Sequence, residues 1–246
     1  MLSFAQPRLL IGLVAGAVAG AADGLGGYIL VRRNWALRSL RYFVALSAGF
    51  MMATVLLEMV PESFTTSGAL AAPLLLVGYC IVHLLEHTIT PHFHFGEETH
   101  PGEFVSRQTS VSVMIGLATH TFFDGIAIAS GFVLSSWLGW LIFLGIILHK
   151  MPEGFTAASV MLASGGSRRA ALNSSLFLGA MTVLGVIALS IFPSLVRFGL
   201  PISAGVAFYV AATDLVPEVN REPGIRMALV FFAGIALFAI AKIIAS

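Results

Sequence analysis

His120-Thr-Phe-Phe-Asp124-Gly125 and His149-Lys-Met-Pro152-Glu153-Gly154 write one pattern twice, His-x-x-x-acid-Gly. Each copy begins about a dozen residues into a long apolar segment, 110–133 for the first and 137–162 for the second. Crossing the hydrocarbon core of a bilayer takes about 20 apolar residues in a helix, and a helix satisfies its own backbone where no water can. At 1.5 Å per residue, both histidines fall near the midplane. Residues four apart share a helix face. His120 therefore lies beside Asp124 and His149 beside Glu153, and the short link makes the two helices antiparallel neighbours. Two imidazoles and two carboxylates are expected to converge in mid-membrane.

Outward from this pair the pattern continues. Apolar segments fall at 9–31, 42–61, 70–89, 110–133, 137–162, 170–192, 201–219 and 227–245, which predicts eight spans in a single all-α transmembrane domain over residues 1–246. Of the 246 residues 58% are hydrophobic and only 10% charged. A soluble domain carries roughly 25% charged residues, so this chain lacks the surface for water. A net charge of +1 gives no pull on polyanions, which excludes a nucleic-acid partner. One cysteine, Cys80, excludes a multi-cysteine metal knuckle. Twenty-five glycines suit close helix packing. Segment 9–31 is expected to be retained as a span, since its apolar run continues to Arg32-Arg33.

Basic residues set the orientation. Arg32, Arg33, Arg38, Arg41, Arg107, Arg168, Arg169, Arg221 and Arg226 fall in one alternate set of loops, whereas the other side holds Arg8, Arg197 and Lys242. Both termini are thus expected outside, in a multi-pass cell (inner) membrane protein. A second repeated motif joins span two, Glu58-Met-Val-Pro61-Glu62, to span seven, Asp214-Leu-Val-Pro217-Glu218. Motifs that recur in spans of opposite direction suggest inverted repeats meeting at a midplane site, a transporter layout.

Two His and two carboxylates suit Zn²⁺, with Fe²⁺, Mn²⁺ or Cd²⁺ also accommodated by nitrogen and oxygen donors. Intramembrane charges are costly and are usually functional. The plainer alternative is a buried ion-pair cluster of Lys150 with Asp124 and Glu153. Pro152 removes a donor from the Leu148 carbonyl, so the helix is expected to loosen beside Glu153. His83, Glu86 and His87 share a face near the cytoplasmic end of span three, as a candidate exit. The following loop, about 90–107, holds His92, His94, Glu97, Glu98 and His100. Glu58 and Glu62 are candidate entrance groups. Asp23 has no clear role.

At these residues the chain resembles the ZIP (Zrt/Irt-like) family of metal-ion transporters. The resemblance rests on the two His motifs, the His-bearing loop and the span-seven run Ala204–Glu218, and covers nearly the whole chain. It implies a 3+2+3 bundle with inverted repeats, uptake of a divalent cation (zinc above all) into the cytoplasm, and primary ligands at His120, Asp124, His149 and Glu153. The chain departs from the pattern of many bacterial relatives at a second, adjacent metal site, where it has Thr121, Lys150 and, by approximate alignment, Thr182. An ammonium there repels a second dication. A single metal is therefore expected, with Lys150 supplying the missing positive charge. The cation is substrate here, not a resident cofactor, and the protein is expected not to be an enzyme. The rival reading is an intramembrane metal-dependent hydrolase built on the same four side chains. A multispan protein stapled by metal is a further rival, and a homodimer is left open.

Overall fold

Proline and glycine decide where this chain departs from the α-helix. The computed structural model describes residues 5–32, 37–88, 107–221 and 225–245, and among the described residues there is no strand. The α-helices are α1 (Ala5–Arg32), α2 (Leu37–Thr54), α3 (Val60–Ser67), α4 (Ala71–Thr88), α5 (Arg107–Leu134), α6 (Ser136–Ala163), α7 (Arg168–Ile191), α8 (Val196–Tyr209), α9 (Val216–Arg221) and α10 (Ile225–Ala245). Among the described residues, two starts are capped by serine. Ser135 Oγ accepts the Leu138 N–H at 3.1 Å to open α6, and Ser167 Oγ accepts the Ala170 N–H at 3.1 Å to open α7.

The Pro61 and Pro217 motifs share a backbone device that the sequence does not announce. A π-turn over Val55–Met59 joins α2 to α3, and another over Val210–Leu215 joins α8 to α9. In each, the closing N–H reaches five residues back, Val60 to Val55 and Val216 to Ala211. A proline ring clashes with the carbonyl four residues earlier. The wider turn relieves that clash one residue before each proline. At Pro152 the outcome is different. α6 runs unbroken from Ser136 to Ala163 with the proline inside it, so the expected loosening does not interrupt the helix. Neighbouring helices hold a proline-bearing span together in this way.

Seven stretches among the described residues are long and apolar enough to cross a membrane: Pro7–Arg32, Arg41–Glu86, Ser110–Leu134, Ser136–Ala163, Arg168–Ile191, Pro193–Arg221 and Ile225–Ile244. The expected spans two and three fall together in the 46-residue Arg41–Glu86 stretch. At 1.5 Å per residue that is about 69 Å, twice the hydrocarbon thickness. It is interrupted by a 3-10 turn at Gly68–Leu70, where Gly68 adopts φ 56°, ψ −130°. A side chain rarely tolerates that backbone.

α6 is the most enclosed of the seven, with 78% of its most apolar stretch buried against 17% for Ile225–Ile244. It packs on α1, α2, α5 and α7. The packing has a two-fold pattern. α1 lies on α6 as α7 lies on α5, α2 on α10 as α8 on α4, and α2 on α6 as α8 on α5. At the centre α1 crosses α7, where a Cβ on either Gly20 or Gly179 strikes the carbonyl of the other. Such close backbone approach is how helices associate in lipid.

Apolar side chains close the α5–α6 seam on both sides of its polar middle. Ile128, Phe132, Leu138 and Ile142 pack toward the Leu134 end, and Val113, Leu117, Ala157 and Val160 toward the Arg107 end. The residues between these two clusters are the ones the His motifs place there.

Candidate metal centre

One turn of α5 carries His120 and Asp124, and one turn of α6 carries His149 and Glu153. Antiparallel packing pairs them crosswise. His149 Nε2 lies 3.3 Å from Asp124 Oδ2, and His120 Nε2 lies 3.4 Å from Glu153 Oε1. All four residues are buried. One donor atom from each falls within 4.8 Å of the other three, and among the described residues this is the one group of three or more His, Cys, Asp or Glu so disposed.

The imidazole edges are set by the backbone. His149 Nδ1 lies 3.1 Å from the Gly145 carbonyl. A carbonyl only accepts, so Nδ1 carries a proton, and in the neutral ring Nε2 presents a lone pair. That lone pair faces the Asp124 carboxylate. Two acceptors 3.3 Å apart repel unless a proton or a cation stands between them. His120 Nε2 is likewise buried and without a hydrogen-bond partner among the described residues, facing Glu153. Donors about 2.1 Å from a tetrahedral Zn²⁺ lie about 3.4 Å from one another. The two crosswise separations match that edge, while the 4.8 Å limit leaves some contraction for the remaining edges. The Nδ1–carbonyl bond is the kind of outer contact that orients metal-binding histidines.

Beside this group, Lys150 is fully buried and binds both acids, with Nζ 2.8 Å from Asp124 Oδ2 and 2.7 Å from Glu153 Oε2. Thr121 donates its hydroxyl to Glu153 Oε1. Thr182 on α7 is buried, and its hydroxyl has no partner among the described residues. The ion pairs of Lys150 with Asp124 and Glu153 expected on the alternative reading are thus present, and they draw on the same two carboxylates as the four-donor group.

Sequence reasoning left Asp23 without a role, and the structure places it here. Its carboxylate is fully buried, 3.8 Å from Lys150 Nζ, and neither oxygen has a hydrogen-bond partner among the described residues. α1 reaches this depth because Gly154 has no side chain; a Cβ there collides with the Asp23 carbonyl. The available signal was an acid inside the glycine-rich run Gly20–Gly27 of a span.

The peripheral residues lie outside this cluster. Glu86 accepts a hydrogen bond from Tyr209 Oη at 2.8 Å, and the His83 ring stacks on Tyr79 at a centroid distance of 6.2 Å. His87 lies in α4, but its side chain is outside the described residues, as are His92, His94, Glu97, Glu98 and His100. Glu58 pairs with Lys242 at 2.5 Å, and Glu62 lies in the first turn of α3 just beyond it. Met51 and Met59 are buried among apolar side chains.

The family model described as ZIP Zinc transporter matches residues 104–242. The chain is 29% identical over 229 residues to the zinc transporter GufA of Myxococcus xanthus, covering 85% of this chain and 89% of that protein. It is 28% identical over 200 residues to the zinc transporter ZupT of Salmonella heidelberg (strain SL476), covering 76% of each. It is 32% identical over 111 residues to the zinc transporter zipt-7.1 of Caenorhabditis briggsae, covering 41% of this chain and 27% of that protein.

Proposed function

The chain belongs to the ZIP zinc transporter family, and from that premise we propose that it carries a divalent cation, zinc foremost, across the membrane into the cytoplasm. His120, Asp124, His149 and Glu153 hold the cation in transit. The observation that carries this reading is their crosswise pairing at 3.3 and 3.4 Å in a fully buried seam. Fe²⁺, Mn²⁺ and Cd²⁺ suit the same donors.

The cation crosses by alternating access. Apolar clusters flank the donors on both sides, and the two-fold packing pattern supports a 3+2+3 arrangement in which one three-helix unit moves against the other. In that arrangement the Arg41–Glu86 stretch crosses twice, turning at Gly68, which makes eight spans. The π-turns at 55–59 and 210–215 supply bendable points at matching places in the two units. The arginine-rich loops face the cytoplasm, with both termini outside. Glu58 and Glu62 stand at the entrance, and His83, Glu86 and His87 at the exit. One cation binds at a time, because the Lys150 ammonium takes the place and part of the charge of a second.

The hydrolase alternative finds no support, since the family and the three relatives are transporters. Zinc uptake into proteoliposomes tests the reading. The wild type accumulates ⁶⁵Zn²⁺, while Asp124→Ala and Glu153→Ala, purified as folded protein, match empty vesicles. Undiminished uptake by either variant overturns the assignment.

A further inference from the structure

Asp23 is a buried carboxylate without a hydrogen bond among the described residues, one ion-pair distance from a lysine that already holds two other acids. Leaving such a group in the protein interior is costly, so its retention calls for a partner at some stage of the protein's work. α1 is the one element that brings it there, and the Gly154–Asp23 backbone contact fixes its depth. The spacing that carries Gly20 onto Gly179 and Gly26 onto Gly185 carries Asp23 onto Thr182. One unit thus has an acid where the other has a hydroxyl, and the acid stands on the Lys150 side.

We propose that Asp23 is the second seat of the Lys150 ammonium, a positioning residue that receives Nζ when a dication takes Asp124 and Glu153. The proposal rests on the reading of the four-residue group as the cation's seat. Lys150 and the dication compete for the same atoms, because Asp124 Oδ2 is shared by His149 and Lys150. A cation about 2.1 Å from that oxygen stands no more than about 4.9 Å from Nζ in its present place. The ammonium is then repelled at short range inside the protein. Asp23 Oδ2, 3.8 Å from Nζ, is reached by a small rotation of the lysine stem and offers two free oxygens.

Formal charge supports the same conclusion. Counted with every acid ionised, Asp23, Asp124 and Glu153 against Lys150 leave two negative charges in the buried cluster. One dication balances them. Without Asp23, the loaded cluster is left with a positive charge in a low-dielectric seam. Asp23 thereby sets the affinity for divalent cations while remaining outside the donor set. The lysine's shuttle between two seats also links cation arrival to a change at the α1–α6 contact.

The test is Zn²⁺ binding by calorimetry to the full chain in nanodiscs. It compares wild type, Asp23→Asn, Lys150→Met and the double variant. Asp23→Asn is expected to weaken Zn²⁺ about tenfold to a hundredfold, because it strands the displaced ammonium. In the Lys150→Met background the same change is expected to cost less than about threefold, since no ammonium needs a seat. An equal penalty in both backgrounds, or none in the wild type, overturns the proposal, because a purely structural role for Asp23 does not depend on the lysine. Should Asp23→Asn fail to fold, the double variant against Lys150→Met decides: equal affinities support the second seat, and a tenfold weaker double variant refutes it. Failure of the underlying reading looks different. In that case His120→Ala and His149→Ala bind Zn²⁺ as the wild type does, whatever happens at Asp23.

Discussion

Lys150→Met offers a quantitative test of how the buried cluster is held together. Methionine keeps the volume of the stem, so the change removes charge and hydrogen bonds without opening a large cavity. Nζ lies 2.8 Å from Asp124 Oδ2, 2.7 Å from Glu153 Oε2 and 3.8 Å from Asp23 Oδ2, all buried. Hydrogen bonds to charged groups are worth about 1.5–3 kcal/mol each, and removing one partner of a buried pair costs about 3–5 kcal/mol. The variant is therefore expected to be about 3–5 kcal/mol less stable than the wild type when both are held in chelator. Zinc should reverse the order of response. Freed of a competing ammonium, the site binds the dication more tightly, and a ligand at a thousand times its Kd stabilises by about 4 kcal/mol. Thermal unfolding in detergent, with EDTA and with Zn²⁺, measures both effects. The variant should melt lower in EDTA and show a larger zinc-induced rise than the wild type. A variant as stable as the wild type in EDTA, or one whose zinc response is smaller, would refute the argument.

Other perturbations read separate parts of the structure. Gly154→Ala drives a methyl into the Asp23 carbonyl, an overpacking cost of about 1–3 kcal/mol set against a helix-propensity gain of at most about 1 kcal/mol. It should lower the melting temperature and weaken zinc binding together. Gly116→Ala, which meets nothing within 4 Å among the described residues, should raise the melting temperature slightly and leave binding alone. Tyr209→Phe removes the donor to Glu86 and should cost about 1–3 kcal/mol in a denaturation assay. Glu58→Gln breaks the pair with the half-exposed Lys242, and a loss of at most about 1 kcal/mol that fades at high salt is expected.

The parts of this molecule that repeat locally were readable from the chain. The i,i+4 spacing in His120–Asp124 and His149–Glu153 fixed which side chains share a face, and the short link between the two segments made them antiparallel neighbours; which histidine meets which acid came from the packing of α5 on α6. What depends on contacts between distant segments was not readable. Asp23 is more than a hundred residues from Lys150, and nothing in its own helix says which neighbour it meets. The π-turns were missed because proline announces a disturbed helix without saying which backbone relieves it. The same residue type widens a turn ahead of Pro61 and Pro217, yet is absorbed in α6 at Pro152. The Tyr209–Glu86 bond escaped for a related reason, since α4 and α8 carry no paired motif to mark their contact.

The central claim is that one dication sits among His120, Asp124, His149 and Glu153. Zinc K-edge X-ray absorption on the purified, zinc-loaded chain, with the metal content measured on the same sample, tests it most directly. One zinc per chain is expected, with two imidazole nitrogens at about 2.0–2.1 Å and two carboxylate oxygens at about 2.0–2.2 Å. The imidazole scattering should fall by half in His149→Ala. Two zinc ions per chain, or a coordination shell without histidine, would contradict it.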